Sequence, residues 1–411
     1  MEESDLEART AKEYTLYRAG PTPLKDRLFR SSVFCAFAGV SWLIREHTAE
    51  HFSLKGFEEV FNPEQGEQGE QGEEGIKPPY LILLQHTTWY DFSNMLPVWF
   101  QFPSGHTFNA VTRRDYFPKI PPLNALVNGL AGAVSLPVYG MSSGKADSPE
   151  EREKRSRMNR EVQEQVIAAY AKGISISLAP EGTSKGNGRI SPIKAGAYHY
   201  SHFTTADGAA YAVPCVPIGV TYDFLSGKEK NGKRKQRVFA RIGQPFMYSP
   251  VPRREREEPK AYEHRDKEAF NRKTRDAYID LNTITAAQLA SIFIYDKLER
   301  GQRTTTVGEF QIGIQDMVAN LAEMPDVYLD QFLLDKEERK ERLFLLYHAL
   351  IQEGYLAPTS YGQHSICQSR AEQEPPLATF KKENILLHTY NKIAEVMEER
   401  AEIREAIRSA L

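Results

Sequence analysis

Two side chains that follow an apolar run have the types and spacing of a proton-transfer pair. In the sequence LLQHTTWYDF, residues 83–92, His86 follows the run and Asp91 comes five residues later. A neutral imidazole can take up a proton near pH 7, and a carboxylate can fix its tautomer and stabilise the cation that forms. Side chains five apart do not share a face of a regular helix, so we expect a turn or distorted helix start between Thr87 and Asp91. The pattern predicts a general base with an orienting carboxylate; the alternative is a hydrogen-bonded histidine at a strand end.

The same spacing occurs a second time, so spacing alone does not select His86. His202 and Asp207 repeat it in the sequence HFTTAD. His86 follows a run typical of a buried strand, and ligands of α/β sheets bind beyond the carboxyl ends of the strands. His202 ends a predicted helix and precedes a polar loop. We therefore interpret the second match as accidental.

A second group of reactive side chains follows another apolar run, in the sequence LAPEGTSKG, residues 178–186. It combines a carboxylate, a glycine that lets the backbone approach an anion, two hydroxyls and a lysine. In order these are Glu181, Gly182, Thr183, Ser184 and Lys185. Taken alone, such a segment is as often an ordinary turn between a strand and a helix as a binding site.

Together the two segments resemble the glycerolipid acyltransferase superfamily, which includes glycerol-3-phosphate and 1-acylglycerol-3-phosphate acyltransferases. His86 and Asp91 match its first block, H-x4-D, and APEGTSK matches its third block. The apolar VPCVPIGVTY, with Pro217, resembles its fourth block, and RIGQPF resembles the segment that usually follows. The resemblance covers about residues 51–250.

The second block of the family is matched only in part. The segment GAVSLPVYG begins like that block, but Val138 and Tyr139 stand where a basic residue is common. The phosphate of an acceptor would then be bound by other cations. Lys194, in a PIKAGA segment similar to one in the family, is the first candidate and Lys185 the second. Three arginines stay open as well: Arg113, Arg114 and Arg189.

The resemblance implies transfer of a fatty acyl group from a thioester to a hydroxyl of glycerol-3-phosphate or a lysophospholipid, in phospholipid biosynthesis. His86 would be the general base and Asp91 its partner. Substrate-binding roles would fall to Glu181, Gly182, Thr183, Ser184, Lys185 and Lys194. The donor would be acyl-CoA or acyl carrier protein, with no cofactor and no metal. Two alternatives are a non-catalytic, membrane-associated adaptor that kept the fold, and a hydrolase that uses water in place of the acceptor.

The elements that must position these residues have an α/β pattern. Apolar runs typical of buried strands alternate with helical periodicity, which predicts a mostly parallel central sheet flanked by helices. The predicted strands are Tyr80–Gln85, Ala131–Val138, Ile174–Pro180, Tyr211–Tyr222 and about 237–243, and Ser191 is the predicted N-cap of a helix. We expect a helical lead over 1–50, a catalytic domain over 51–250 with a disordered acidic insertion at 62–78, and a helical domain over 251–411. The last thirty residues are predicted to form one helix.

The composition indicates which classes of partner and which cellular compartment to expect. The 411 residues include 41% hydrophobic and 26% charged residues and carry a net charge of −3, which is typical of a globular protein and gives no reason to expect nucleic-acid binding. Three separated cysteines fit a reducing compartment. No apolar stretch reaches the roughly 20 residues of a spanning helix. We expect peripheral attachment to the cytoplasmic face of a membrane through Ser31–Ile44 and the basic loop 228–237. The alternatives are a buried core helix for the first segment and an ordinary solvated loop for the second.

Overall fold

A mostly parallel sheet lies at the centre of the protein. The computed structural model describes residues 49–56, 79–86, 107–113, 135–138, 148–182, 187–204, 210–230, 232–359, 362–373 and 384–411. In chain order the strands up to residue 242 are β1 (Ala49–Lys55), β2 (Leu81–Leu84), β3 (Thr107–Arg113), β4 (Ser135–Val138), β5 (Ile174–Leu178), β6 (His202–Thr204), β7 (Ala210–Ala212), β8 (Cys215–Asp223), β9 (Glu229–Lys230), β10 (Lys233–Arg234) and β11 (Gln236–Ile242). Seven of them form the central sheet in the order β1-β11-β8-β2-β5-β3-β4.

The directions of the strands confirm the predicted α/β class. Strands β8, β2, β5, β3 and β4 run parallel to one another, whereas β11 is antiparallel to β8 and carries β1 beside it. The residues of β2, β5 and β8 are buried along their whole length, as continuous apolar runs predict for strands covered on both faces.

Two sequence predictions differ from the structure in detail. The strand predicted over Tyr211–Tyr222 is divided into β7, which pairs with β6, and β8, which joins the central sheet; Pro214, which has no N–H, lies between them. The predicted N-cap at Ser191 is wrong. Its hydroxyl oxygen accepts no hydrogen bond among the described residues, and the helix begins four residues later with Lys194 at the N-cap position.

The first three helices of the described residues pack on the sheet, and most of the others belong to the C-terminal region. In chain order they are α1 (Pro149–Ala171), α2 (Ala195–Ser201), α3 (Pro259–Asp280), α4 (Ala286–Glu299), α5 (Val307–Ala322), α6 (Gln331–Leu334), α7 (Lys336–Gln352), α8 (Gln368–Ala371), α9 (Ile385–Glu399) and α10 (Ala401–Arg408). Ser148 and Glu151 form a capping box at the start of α1. The buried face of α1, which includes Val166 and Tyr170, packs into the same core cluster as Leu81 and Ile176 of the sheet.

Helix α3 lies beyond the predicted domain boundary but packs on the sheet. Phe270 and Tyr278 are buried in the same cluster as β2, β5 and α1. Aromatic burial of this size is a large apolar contribution, so α3 is part of the core that supports the sheet. The division of the chain near residues 250–260 stays a prediction.

The C-terminal region contains a small sheet besides its helices. Its strands are β12 (Thr283–Ile284), β13 (Thr304–Thr306), β14 (Tyr328–Leu329), β15 (Leu356–Pro358) and β16 (Gln363–Ile366), of which β13, β16 and β15 form an antiparallel sheet. A separate apolar core joins α4, α5, α7, α9 and α10. The single helix predicted for the last thirty residues is two helices, α9 and α10, with Arg400 between them.

A buried ion pair ties this region to the central sheet. Arg237 of β11 donates from Nη1 and Nη2 to Asp330 at 2.5 and 2.8 Å, and both side chains are 0% exposed. Within the described ranges no helix is long and apolar enough to cross a membrane. The segment Ser31–Ile44 and the 62–78 insertion lie outside the described residues.

Candidate functional site

His86 lies two residues beyond the carboxyl end of β2, beside the end of β5. The two strands are paired in parallel, with Leu83 opposite Leu178, so the segments that follow them leave the sheet at the same edge. The N–H of His86 donates to Oε1 of Glu181 at 2.9 Å. The first and third sequence blocks therefore meet in the structure. Asp91, the predicted orienting carboxylate, lies outside the described residues.

Glu181 joins three segments of the chain. Its Oε1 accepts the N–H of His86 and its Oε2 accepts the N–H of Ser191 at 2.6 Å, while the residue is only 1% exposed. Burial raises the pKa of this carboxyl to about 7, and the two N–H donors and the charge of Lys392 limit that rise. Both carboxylate oxygens thus bind main-chain groups, and the predicted contact of Glu181 with an acceptor stays a prediction.

The turn after β5 is closed by its own backbone. Gly182 has φ +67°, which a glycine adopts without strain, and its N–H donates to Ala179 O at 2.9 Å. The N–H of Gly182 is therefore already bound within the turn, and its predicted substrate-binding role stays a prediction. Thr183, Ser184 and Lys185 lie outside the described residues.

Lys194 lies over this turn. Its N–H donates to Pro180 O at 2.7 Å, and its Cγ is 3.4 Å from where a Cβ on Gly182 would stand. The residue is exposed at the N-cap position of α2. The structure therefore brings together a cation and the turn that were twelve residues apart in sequence, beside the end of β5.

The other predicted cations are placed less favourably or are not described. Arg189 makes a salt bridge with Glu398 of α9, with Nη2 and Oε1 3.2 Å apart. Arg113 is the last residue of β3 and is paired with Val138, so its backbone lies at the same edge of the sheet as His86. Arg114 is outside the described residues. Lys194 is accordingly the described lysine with the best position for an anion at this edge.

The rival histidine lies at the opposite edge of the sheet. His202 begins β6, directly after Ser201, whose carbonyl accepts the N–H of Val213 just before β8. The first residue of β8, Cys215, pairs with the first residue of β2, Leu81. This is the amino end of β2, whereas His86 lies beyond its carboxyl end. The His202 Nδ1 lies 3.0 Å from Ser201 Oγ. This arrangement agrees with an accidental match, and Asp207 lies outside the described residues.

Sequence reasoning missed that the C-terminal region reaches this site. Lys392 of α9 is only 6% exposed, and its charge acts on Glu181. Tyr278 of α3 is buried, and its pKa is raised well above the usual value, by burial and then by the charge of Glu181. The available signal was Lys392 itself, a lysine on the buried face of α9, because a buried ammonium needs an anion nearby.

No group of three or more His, Cys, Asp or Glu side chains with suitable geometry occurs in the part of the chain that the structure describes. The arrangement supplies a histidine at a strand end, a carboxylate that fixes its backbone, and a lysine beside a tight turn. Such a set can accept a proton from a hydroxyl and bind an anion nearby.

Comparison with known proteins gives a distant structural likeness. No protein-family model matches the chain, and no curated protein matches it. A solved structure similar to the chain is the crystal structure of the 1-acyl-sn-glycerophosphate (LPA) acyltransferase PlsC from Thermotoga maritima. The two share 15% sequence identity with a TM-score of 0.34, over 60% of this chain and 80% of that chain.

Proposed function

We propose that the protein is an O-acyltransferase that moves a fatty acyl group from a thioester to a hydroxyl of glycerol-3-phosphate or a lysophospholipid. The observation that carries this proposal is the hydrogen bond between His86 N–H and Glu181 Oε1. It unites the two sequence blocks on which the resemblance depends at one edge of the sheet. Parallel pairing of β2 and β5 brings the two segments to this edge, and the hydrogen bond joins them directly there.

In the proposed reaction the acceptor is its own nucleophile. Neutral His86 takes the proton of the acceptor hydroxyl while the hydroxyl oxygen attacks the thioester carbonyl, and Asp91 stabilises the imidazolium. The tetrahedral intermediate collapses, the C–S bond breaks, and the imidazolium returns the proton to the leaving thiolate. The products are an ester and a free thiol, and His86 is neutral again. No acyl-enzyme and no cofactor is required.

The remaining roles follow the chemistry of the substrates. Lys194, with Lys185 as second candidate, binds the phosphate of the acceptor, and Gly182, Thr183 and Ser184 also have substrate-binding roles. The donor is acyl-CoA or acyl carrier protein. Because lysophospholipids and acylated products reside in bilayers, the enzyme works at the cytoplasmic face of a membrane as a peripheral protein. The basic loop 228–237 contributes to that contact.

Part of the basic loop has partners within the protein. Lys228 pairs with Glu341 at 2.9 Å, and Arg234 pairs with Glu229 and Glu353. The pairing reduces the charge that this loop offers to anionic lipid. Lys230 and Lys233, both exposed in the small ribbon β9–β10, are the better candidates for the membrane contact.

A survey of donors and acceptors tests the proposal. The purified full-length protein is assayed with acyl-CoA and with acyl carrier protein as donors, and glycerol-3-phosphate, lysophosphatidate and other lysophospholipids as acceptors. We expect acceptor-dependent release of thiol with equal formation of ester. Thiol release that is independent of any acceptor would favour the hydrolase, and absence of both products with every pair would favour the non-catalytic adaptor.

A further inference from the structure

Helix α9 of the C-terminal region covers the loop that leads from the 181–182 turn to α2. We infer that α9 is part of the active-site scaffold, and that Lys392 is a positioning residue that acts on His86 through Glu181. The inference rests on the proposed function for its kinetic consequences. Its structural basis is a set of contacts between α9 and residues 187–191, here called the site loop.

Three side chains of α9 hold the site loop. Asn391 donates from Nδ2 to Asn187 O at 2.9 Å, and Glu395 Oε2 accepts the N–H of Ile190 at 2.8 Å. Glu398 pairs with Arg189 on the outside of the same contact. Each partner on the site loop is within four residues of Ser191, whose N–H binds Glu181. The helix therefore fixes the segment that fixes the carboxylate.

The backbones of the helix and the site loop are in close contact. Gly188 has φ +82°, and a Cβ on it would stand 2.0 Å from His388 O of α9. Real Cβ atoms do not approach a carbonyl oxygen this closely, so any side chain at residue 188 must displace α9 or the loop. The contact is a close approach that only glycine allows.

Lys392 lies on α9 between the residues that hold the loop. It is one residue after Asn391 and three before Glu395, and its 6% exposure means that its ammonium is largely removed from water. A buried ammonium requires a compensating negative group. Its charge acts on Glu181, whose pKa it lowers against the effect of burial.

Several other groups face Glu181 from the elements around it. His86 approaches from β2, Ser191 from the site loop and Tyr278 from α3. The hydroxyls of Ser191 and Tyr278 are buried and have no hydrogen-bond partner among the described residues. Among these neighbours, His86 is charged only while it holds the proton of the acceptor. Lys392 is the neighbour whose positive charge is present throughout the reaction.

Without the Lys392 ammonium, the pKa of Glu181 would be higher, and the carboxyl would stay protonated to a higher pH. A protonated carboxyl presents an O–H donor, and a donor opposite a backbone N–H loses the hydrogen bond. His86 N–H or Ser191 N–H would then be released at a pH at which the wild-type carboxylate still binds both. The expected result is lower activity near neutral pH that returns as the pH is raised.

The pH dependence of kcat/KM tests this mechanism. We expect Lys392→Met to shift the fall of kcat/KM at low pH, the acid limb of the profile, upward by about one pH unit or more. Lys392→Arg should return the acid limb to its wild-type position. Lys297→Met, which removes a lysine paired with Glu309 elsewhere in the C-terminal region, is the control and should leave the limb unchanged. In a Glu181→Gln background, Lys392→Met should produce no shift. A shift that persists there would mean that Lys392 acts directly on His86, and would overturn the inference, as would an unshifted Lys392→Met.

Hydrogen exchange separates this inference from the proposed function, because it requires no activity. At pH 7, we expect peptides that contain the His86 amide to exchange faster in Lys392→Met than in wild type. Gly188→Ala should accelerate exchange in the site loop and in α9, whereas Gly173→Ala, with φ +69° but no atom within 4 Å of the added Cβ, should not. Unchanged exchange at His86 in Lys392→Met, or at the site loop in Gly188→Ala, would contradict the scaffold role even if acyl transfer is found.

Discussion

The backbone N–H of His86 binds Oε1 of Glu181 at 2.9 Å although 95 residues separate them in the chain. The carboxylate also binds Ser191 N–H, so one buried side chain sets the position of two backbone segments at the carboxyl edge of the sheet. A general base works only if its ring is held within reach of the proton that it accepts. The position of His86 therefore depends on the charge state of Glu181.

Glu181→Gln tests whether this residue positions the base or binds the acceptor. Glutamine has one carbonyl oxygen for two backbone donors, and its amide N–H groups would oppose one of them. If Glu181 positions His86, we expect kcat to fall about tenfold to hundredfold while KM for the acceptor changes little. A rise in KM with unchanged kcat would instead support the acceptor contact. Glu164→Gln, at an exposed glutamate of α1, is the matched control.

The raised pKa of Glu181 predicts a pH dependence of stability. Between the ordinary value of 4.5 and about 7, the folded protein keeps a proton on Glu181 that the unfolded chain has lost. The contribution of Glu181 to the free energy of unfolding is therefore full below pH 4.5 and falls as the pH rises to about 7, by roughly 3 kcal/mol. Urea denaturation of wild type and Glu181→Gln from pH 4.5 to 8 should show the variant gaining relative stability over this range. A constant difference between the two proteins would contradict the raised pKa.

Lys194→Met should weaken binding of a phosphorylated acceptor. A charge-assisted hydrogen bond to phosphate contributes about 1.5–3 kcal/mol, so we expect KM for the acceptor to rise about tenfold to hundredfold with kcat less affected. Lys194→Arg should retain most of the affinity. Lys172→Met changes an exposed lysine beside the amino end of β5, at the opposite edge of the sheet, and should have no effect. Equal KM values for Lys194→Met and wild type would remove Lys194 from the site.

The ion pair between Arg237 and Asp330 should stabilise the packing of the C-terminal region against the central sheet. Removing one partner leaves a buried charge, so Asp330→Ala should lower the free energy of unfolding by about 3–5 kcal/mol. The double variant Arg237→Met with Asp330→Leu should recover much of that loss. Asp296→Ala, which breaks the more exposed pair with Arg300, should cost no more than about 1 kcal/mol. Similar costs for the two alanine variants would show that the buried charge is compensated elsewhere.

The sequence predicted the sheet well where apolar runs were continuous. Residues 81–84 and 174–178 were identifiable as buried strands, and parallel pairing then placed the segments after them at one edge. Strand β3 was missed, because TFNAVTR has neither a continuous apolar run nor a clear alternation. The start of α2 was misplaced because Ser191 has the type of an N-cap residue, but its hydroxyl caps no helix and its backbone is bound to Glu181 instead. Local capping preference could not reveal that tertiary contact.

The contact of α9 with the site could not be predicted from the sequence for a related reason. Asn391 and Glu395 bind the backbone of residues 187 and 190, and a backbone group has no residue type to identify it as a partner. Lys392 gave a weak signal, since a lysine on a buried helix face needs an anion, but nothing near it in sequence identified Glu181. Only the packing of α9 on the site loop brings the two together.

The central claim is that His86, and not the other histidine with the same spacing, is the base. Acceptor-dependent thiol release is measured for wild type, His86→Ala and His202→Ala with the best donor and acceptor pair. We expect His86→Ala to lose about a hundredfold or more in kcat, as removal of a general base predicts, and His202→Ala to retain activity within a few fold. Full activity in His86→Ala, or equal losses in the two variants, would contradict the assignment.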